Sequence, residues 1–469
     1  MLNYFPKYFT SKAISLYIGV LVIVNVVFYS HALPALWWTF GMLEVVCFFY
    51  FSNKLTRKWS AFSEKKYLKK LFQTALIIRL IWVIFSYFFF QYMTGKPFEF
   101  SAGDSQGYHD SGIWIADLLR SGNLQQFFDS MKGRYSDMGY SLYLGLQYYI
   151  TGGSIIVERL LKAFYGAFTV LLIYKLSNRT FGEEVGRMAA IFTMLMPNLI
   201  YFAGLHTKEV EMVMLTVAFI ERSDFLIRSK NYNFTNIALP LVLAGSLFSL
   251  RTVLGAAALF ALFTTLMFSS TKILGMGKRM ILIVWVLGTI GYFLGGSLAN
   301  ELESVWNARQ DNQEQGITHY ATRKNGNKFA KYAGGAVFAP MIFVIPFPTI
   351  VETVGQENSK LINGGNYVKN IMAFFVIFAV YWVIKNRKWR DYLLISSFTI
   401  GYLLILAMST FASSERFHQP SLPFELILGA FGLSLIANKQ KKYFTWWLAL
   451  IFVAIVSWSW FKLAGRGMA

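Results

Sequence analysis

Apolar runs long enough to cross a bilayer recur from one end of this chain to the other, and no other feature narrows its fold as much. A helix rises ~1.5 Å per residue, so about 20 apolar residues cross the ~30 Å hydrocarbon layer. Such runs fall at 13–30, 34–52, 71–92, 157–177, 186–203, 207–222, 236–250, 252–269, 280–298, 367–384, 392–410, 420–437 and 443–461. In hydrocarbon every backbone N–H and C=O has to be satisfied within the protein, which a helix does by itself. The expected fold class is an all-α polytopic membrane protein, one transmembrane domain over 1–469 with about 13 transmembrane helices. Shorter apolar stretches at 139–151 and 337–351 are expected to be interfacial or re-entrant. Composition agrees, since only 14% of the residues are charged, against about 25% in soluble domains.

Charge then sets orientation. The segment 53–70 holds Lys54, Arg57, Lys58, Lys65, Lys66, Lys69 and Lys70. Taking it as cytoplasmic and alternating through the spans puts 178–185, 223–235, 270–279, 385–391 and 438–442 on the same side. All of these short loops are basic, as the positive-inside tendency requires. The net charge of +20 is therefore read as orienting charge, and no nucleic-acid partner is expected. The single cysteine, Cys47, cannot form an intrachain disulfide. No cleavable signal peptide is expected, because no small-residue cleavage site follows the long first apolar stretch.

The opposite face is then outside. It carries a first outer loop, 93–156, a second outer loop, 299–366, and shorter turns near His206, at Arg251 and at 411–419. In the first loop, YHDSGIWIADLLRSGN has apolar positions at helical spacing that stop near Gly122. This predicts a short interfacial helix lying on the membrane surface. The second loop carries Arg309, His319, Arg323, Lys324, Lys328 and Lys331, then Glu352 and Glu357, and is expected to be a lid or acceptor region.

Polar groups gather at the outer ends of the spans: Asp104, Tyr108 and His109; His206, Lys208 and Glu209; Arg251; and Glu415, Arg416 and His418. An ionised side chain in hydrocarbon costs a few kcal/mol or more, so such residues usually face a cavity and pair there. Arg251, Arg416, Lys208 and His206 are candidate ligands for the phosphate of an amphipathic molecule, arginine because its planar donors engage two oxygens. Asp104 is a candidate general base for an acceptor hydroxyl, or a group that orients it. Tyr108, His109, Glu209 and His418 are candidate substrate contacts. The five histidines show no metal-ligand spacing, and no glycine-rich nucleotide motif appears. No metal or cofactor is expected.

The order of these features resembles the GT-C class of polytopic glycosyltransferases, which includes lipid A aminoarabinose transferases and protein O-mannosyltransferases. The resemblance lies in GDSQGYHDSGIWIADLLRSGN and DMGYSLYLGLQYY in the first loop, MLMPNLIYFAGLHTKEVEMVMLTVAF, the arginine turn FSLRTVLGAAALF and the late segment RFHQPSLPFELILGAFG. It covers roughly 93–270 and 411–437. Differences are two additional helices before the acidic motif and Ser105 where some relatives carry a second acid. The resemblance implies that Asp104 is the catalytic acid. It also implies a polyprenyl-phosphate-linked sugar as donor, with its phosphate held by basic residues of later loops.

The expected function is a membrane glycosyltransferase that passes this sugar to an envelope glycan, lipid or protein on the outer face of a bacterial cytoplasmic membrane, with inversion. The nearest alternative is a polysaccharide polymerase or ligase using a polyprenyl-pyrophosphate donor. A lipid or glycan transporter is a third reading, suggested by Glu44 and Arg79 inside predicted spans.

Overall fold

The computed structural model describes residues 2–131, 138–229, 233–270, 275–294, 338–353, 355–409 and 411–464. The described residues are helical throughout, apart from turns and one isolated bridge between Ala32 and Val351. The chain opens with α1 (Lys7–Val27), α2 (Ala35–Trp59) and α3 (Glu64–Thr94). Three short helices follow: α4 (Gly103–Arg120), α5 (Gln125–Ser130) and α6 (Met138–Thr151). A long series comes next, α7 (Ile155–Phe181), α8 (Glu183–Leu195), α9 (Pro197–Tyr201), α10 (Glu209–Arg228), α11 (Phe234–Leu250), α12 (Thr252–Phe268) and α13 (Met276–Leu294). The last group is α14 (Glu357–Leu361), α15 (Asn363–Lys385), α16 (Leu393–Ala407), α17 (Glu415–His418), α18 (Leu422–Leu435) and α19 (Lys441–Ala464).

This is a polytopic helical membrane protein, and each of the segments expected to span carries a helix. Among the described residues, five are long and apolar enough to cross a bilayer: α1, α2, α3, α15 and α19. The bent pair formed by α8 and α9 makes a sixth. The count of thirteen therefore stands as an expectation. Helices α11, α12, α16 and α18 are 17, 17, 15 and 14 residues long, while α7 and α10 carry several charged groups. Most of the loop 299–366, with Arg309, His319, Arg323, Lys324, Lys328 and Lys331, lies outside the described residues.

Helix α3 shows the sorting that lipid imposes. Its Ile77, Ile81, Ile84 and Phe88 recur at helical spacing and are exposed, while Arg79, Val83, Ser86 and Phe90 on the other side are buried. Polar groups turn inward because lipid cannot satisfy them. Arg79 has a specific task. Pro197 lacks an N–H, so the carbonyl of Thr193 loses its helical partner and the chain bends by 53° between α8 and α9. The Arg79 guanidinium reaches Thr193 O at 3.4 Å, Met194 O at 3.5 Å and Ala75 O at 3.2 Å. Glu44 likewise accepts the backbone N–H of Gly365 at 3.0 Å. The two charges that suggested a transporter are thus both tied to backbone groups.

Close helix approaches hold the bundle together. At Gly432 on α18 an added Cβ would lie 1.9 Å from the carbonyl oxygen of Phe375 on α15. Only glycine allows the two backbones that near. Helix α4 packs on α6, and Gly122 closes it with φ +72°, a conformation that favours glycine. Through Tyr148 of α6, which meets both His109 and His206, this pairing ties α4 to the chain before α10.

Candidate functional site

Three helix starts converge at one end of the bundle. Asp104 lies in the first turn of α4, Glu209 opens α10, and Arg416 sits in the single turn of α17. Carboxylates in a first helical turn meet the orphan N–H groups and the positive end of the dipole. The Arg416 guanidinium joins them, with Nη1 donating to Asp104 Oδ2 and Nε donating to Glu209 Oε1. Burial disfavours its charge, but the Glu209 and Asp104 carboxylates outweigh this and hold it above the ordinary arginine value. The Asp104 side chain is 66% exposed and that of Glu209 is fully buried. Asp104 is therefore open to solvent, whereas Glu209 lies behind Arg416.

Arg251 joins α11 to α12 and stands 4.0 Å from Glu209 Oε1, with its guanidinium 4.4 Å over the Phe417 ring. Lys208 is buried, donates to the carbonyl of Leu250 at 2.6 Å and lies 6.0 Å from the Tyr108 ring. Burial, then the neighbouring Arg251 charge, lowers its pKa to about 7. Tyr108 meets Tyr140 edge-on at 4.9 Å. Asp104, Tyr108, Lys208, Glu209, Arg251 and Arg416 thus form one cluster of both signs.

The histidines go elsewhere. His418 is buried, with Nδ1 2.8 Å from Lys369 Nζ and Nε2 2.9 Å from Ala412 O. It anchors the α17 turn and does not face Asp104. His206, expected at the phosphate, is fully buried: its Nε2 is 3.0 Å from Tyr148 Oη and its Nδ1 is 3.2 Å from Glu158 Oε2. His109, on α4, contacts the same Tyr148 hydroxyl through Nδ1 at 2.8 Å. The sequence placed both imidazoles at the right end of the bundle, but His206 belongs to a second layer beneath the cluster, and His109 stands at the half-exposed edge of that layer.

That layer holds residues the sequence reading passed over. Lys162 Nζ lies 2.9 Å from Glu158 Oε1 and 4.0 Å from Glu211 Oε2, and donates to Leu205 O at 2.9 Å and to Thr207 O. Tyr140 donates to Glu158 at 3.0 Å. Lys162 therefore pins the chain leading into Lys208 and Glu209. The signal was present in IIVERLLKAF, where Glu158 and Lys162 share one face of an apolar helix at i, i+4.

A cavity of ≈ 20 Å³, lined by Arg79, Thr169, Thr193, Glu209 and Gln419, adjoins the cluster. It has room for about one water. Glu209 Oε2, Gln419 Oε1 and Arg79 Nε line its wall without hydrogen-bond partners.

No family model matches the chain, and no curated protein matches it. Among solved structures the chain is similar to an archaeal oligosaccharyltransferase, AglB from Archaeoglobus fulgidus, in complex with an inhibitory peptide and a dolichol-phosphate. The TM-score is 0.43 and the identity 12%, over 86% of this chain and 56% of that one. The chain thus spans little more than half the length of that protein.

Proposed function

We propose that the chain is a membrane glycosyltransferase of the GT-C type. It moves a sugar from a polyprenyl-phosphate-linked donor to an envelope glycan, lipid or protein on the outer face of a bacterial cytoplasmic membrane. The observation that carries this reading is the Asp104–Arg416–Glu209 group with Arg251 beside it. One exposed carboxylate and two arginines meet at one end of the helical bundle.

The chemistry follows from these groups. The donor's phosphate diester presents anionic oxygens, which Arg416 and Arg251 can take in planar, charge-assisted bonds. Lys208 adds a third positive charge when protonated. Asp104 meets the acceptor hydroxyl and raises its nucleophilicity as it attacks the anomeric carbon. The bond from that carbon to the phosphate oxygen breaks, and the electron pair leaves on lipid phosphate, whose new charge the arginines stabilise. A single displacement of this kind inverts the anomeric centre. Glu209 keeps Arg416 aimed while Arg416 exchanges between Asp104 and phosphate.

The test is transfer by the purified protein in lipid vesicles, using labelled sugars on polyprenyl monophosphate and pyrophosphate with an envelope extract as acceptor. Turnover with a monophosphate donor supports the reading. Turnover with pyrophosphate donors alone would replace it by a polymerase or ligase.

A further inference from the structure

Beneath the cluster, Glu158, His206, Tyr148 and His109 form a line from the bundle interior to the half-exposed side of α4. Proton positions along it follow from its inner end. Lys162 and Tyr140 both face Glu158 Oε1, so Oε2 meets His206 as a carboxylate. His206 Nδ1 and Glu158 Oε2 face each other at 3.2 Å, out of hydrogen-bond alignment, and neither has any other partner. The proton of a neutral His206 therefore belongs on Nδ1. Nε2 of His206 then accepts the Tyr148 hydroxyl proton. The Tyr148 oxygen, having donated, accepts Nδ1–H of His109. This leaves the lone pair of His109 on Nε2, which has no hydrogen-bond partner among the described residues.

We infer that His109 is the proton acceptor that clears the hydroxyl proton from the cleft, held in the competent tautomer by Tyr148, His206 and Glu158. The inference rests on the transfer reading above. In the balanced step the acceptor oxygen bonds to the anomeric carbon and the carbon–phosphate-oxygen bond breaks. Lipid phosphate takes the electron pair, and the hydroxyl proton passes by way of the Asp104 carboxylate and then through solvent water to His109 Nε2. Asp104 and His109 are five positions apart on α4, about 7.5 Å along its axis and about 140° around it, so water bridges the two.

The surroundings suit the role. Phe98 and the His206 ring flank His109 at 5.7 Å each, and Asp110, which follows it on α4, is exposed. Behind His206 stand Glu158, Arg159 and Lys162. Burial holds His109 below the ordinary imidazole value, partly offset by Asp110, and burial also lowers His206. Both rings are thus neutral near pH 7. Acid protonates His109 Nε2 and removes the acceptor, so activity falls as pH drops.

Two measurements on the full-length protein in vesicles decide the matter. Nitrogen-15 histidine spectra should show Nδ1–H tautomers at His109 and His206, with Tyr148→Phe releasing His109 from that state. An Nε2–H tautomer at His109 overturns the assignment. Transfer rates should fall about 10²- to 10⁴-fold in His109→Ala and His109→Gln. Lipid-phosphate binding should be unchanged, and added imidazole should restore the His109→Ala variant. A loss that imidazole does not restore, or unaltered turnover, contradicts the role. A wild type that uses no lipid-phosphate donor at all overturns the transfer reading itself, whatever the tautomer.

Discussion

Arg416 and Asp104, 312 positions apart in the chain, form an ion pair across the mouth of the helical bundle. The pair sets the exposed acid in competition with any phosphate that approaches the same guanidinium. Removing the acid's charge should therefore tighten phosphate binding. With charge-assisted bonds contributing about 1.5–3 kcal/mol, Asp104→Asn should bind polyprenyl phosphate about tenfold more tightly than wild type in a vesicle binding titration. Unchanged or weaker binding would mean that Arg416 does not exchange between them.

Lys208 gives a pH dependence. Its pKa is lowered to about 7, so its ammonium is present below that pH and is lost as pH rises through it. A phosphate diester does not titrate in this range. Donor affinity should decline between pH 6 and 8, and Lys208→Met should flatten the profile. A profile that is equally steep in the variant would assign the titration to another group.

The buried pair of Lys162 and Glu158 is fixed by several partners, so its two halves should not be equivalent to the whole. Lys162→Met leaves a carboxylate uncompensated and should destabilise the protein by about 3–5 kcal/mol. The double variant Lys162→Met, Glu158→Gln should recover part of that loss. Thermal unfolding in one detergent, with the three proteins side by side, provides the check.

The Gly432 crossing offers a purely structural control. Its missing Cβ sits 1.9 Å from the Phe375 carbonyl oxygen, so Gly432→Leu must push α15 and α18 apart. Lower yield and melting temperature are expected, with the Asp104 cluster chemistry of the surviving fraction intact. A melting temperature equal to wild type would mean that the two helices do not approach as described.

How far the sequence could be read follows from what kind of signal each feature left. Helix positions were legible because lipid demands long apolar runs, and α1 to α3, α15 and α19 follow directly from them. Asp104, Glu209, Arg251 and Arg416 were legible as polar groups interrupting apolar ends. Their partners were not, because Arg416 meets Asp104 through the fold and nothing local in SERFHQP points to α4. The histidines were assigned by proximity in the chain, which cannot tell a ring that faces the cleft from one turned inward. His418 turns toward Lys369, and His206 turns toward Glu158. The Glu158–Lys162 pair was readable from its i, i+4 spacing, but it lay within a stretch read only for its length.

The most direct test of the central claim compares wild type and Asp104→Asn for sugar transfer in vesicles, across a panel of polyprenyl-phosphate sugars, with lipid-phosphate binding measured on the same samples. The account predicts a fall of about 10²- to 10⁴-fold in turnover while lipid phosphate stays bound. Full turnover in Asp104→Asn would contradict it.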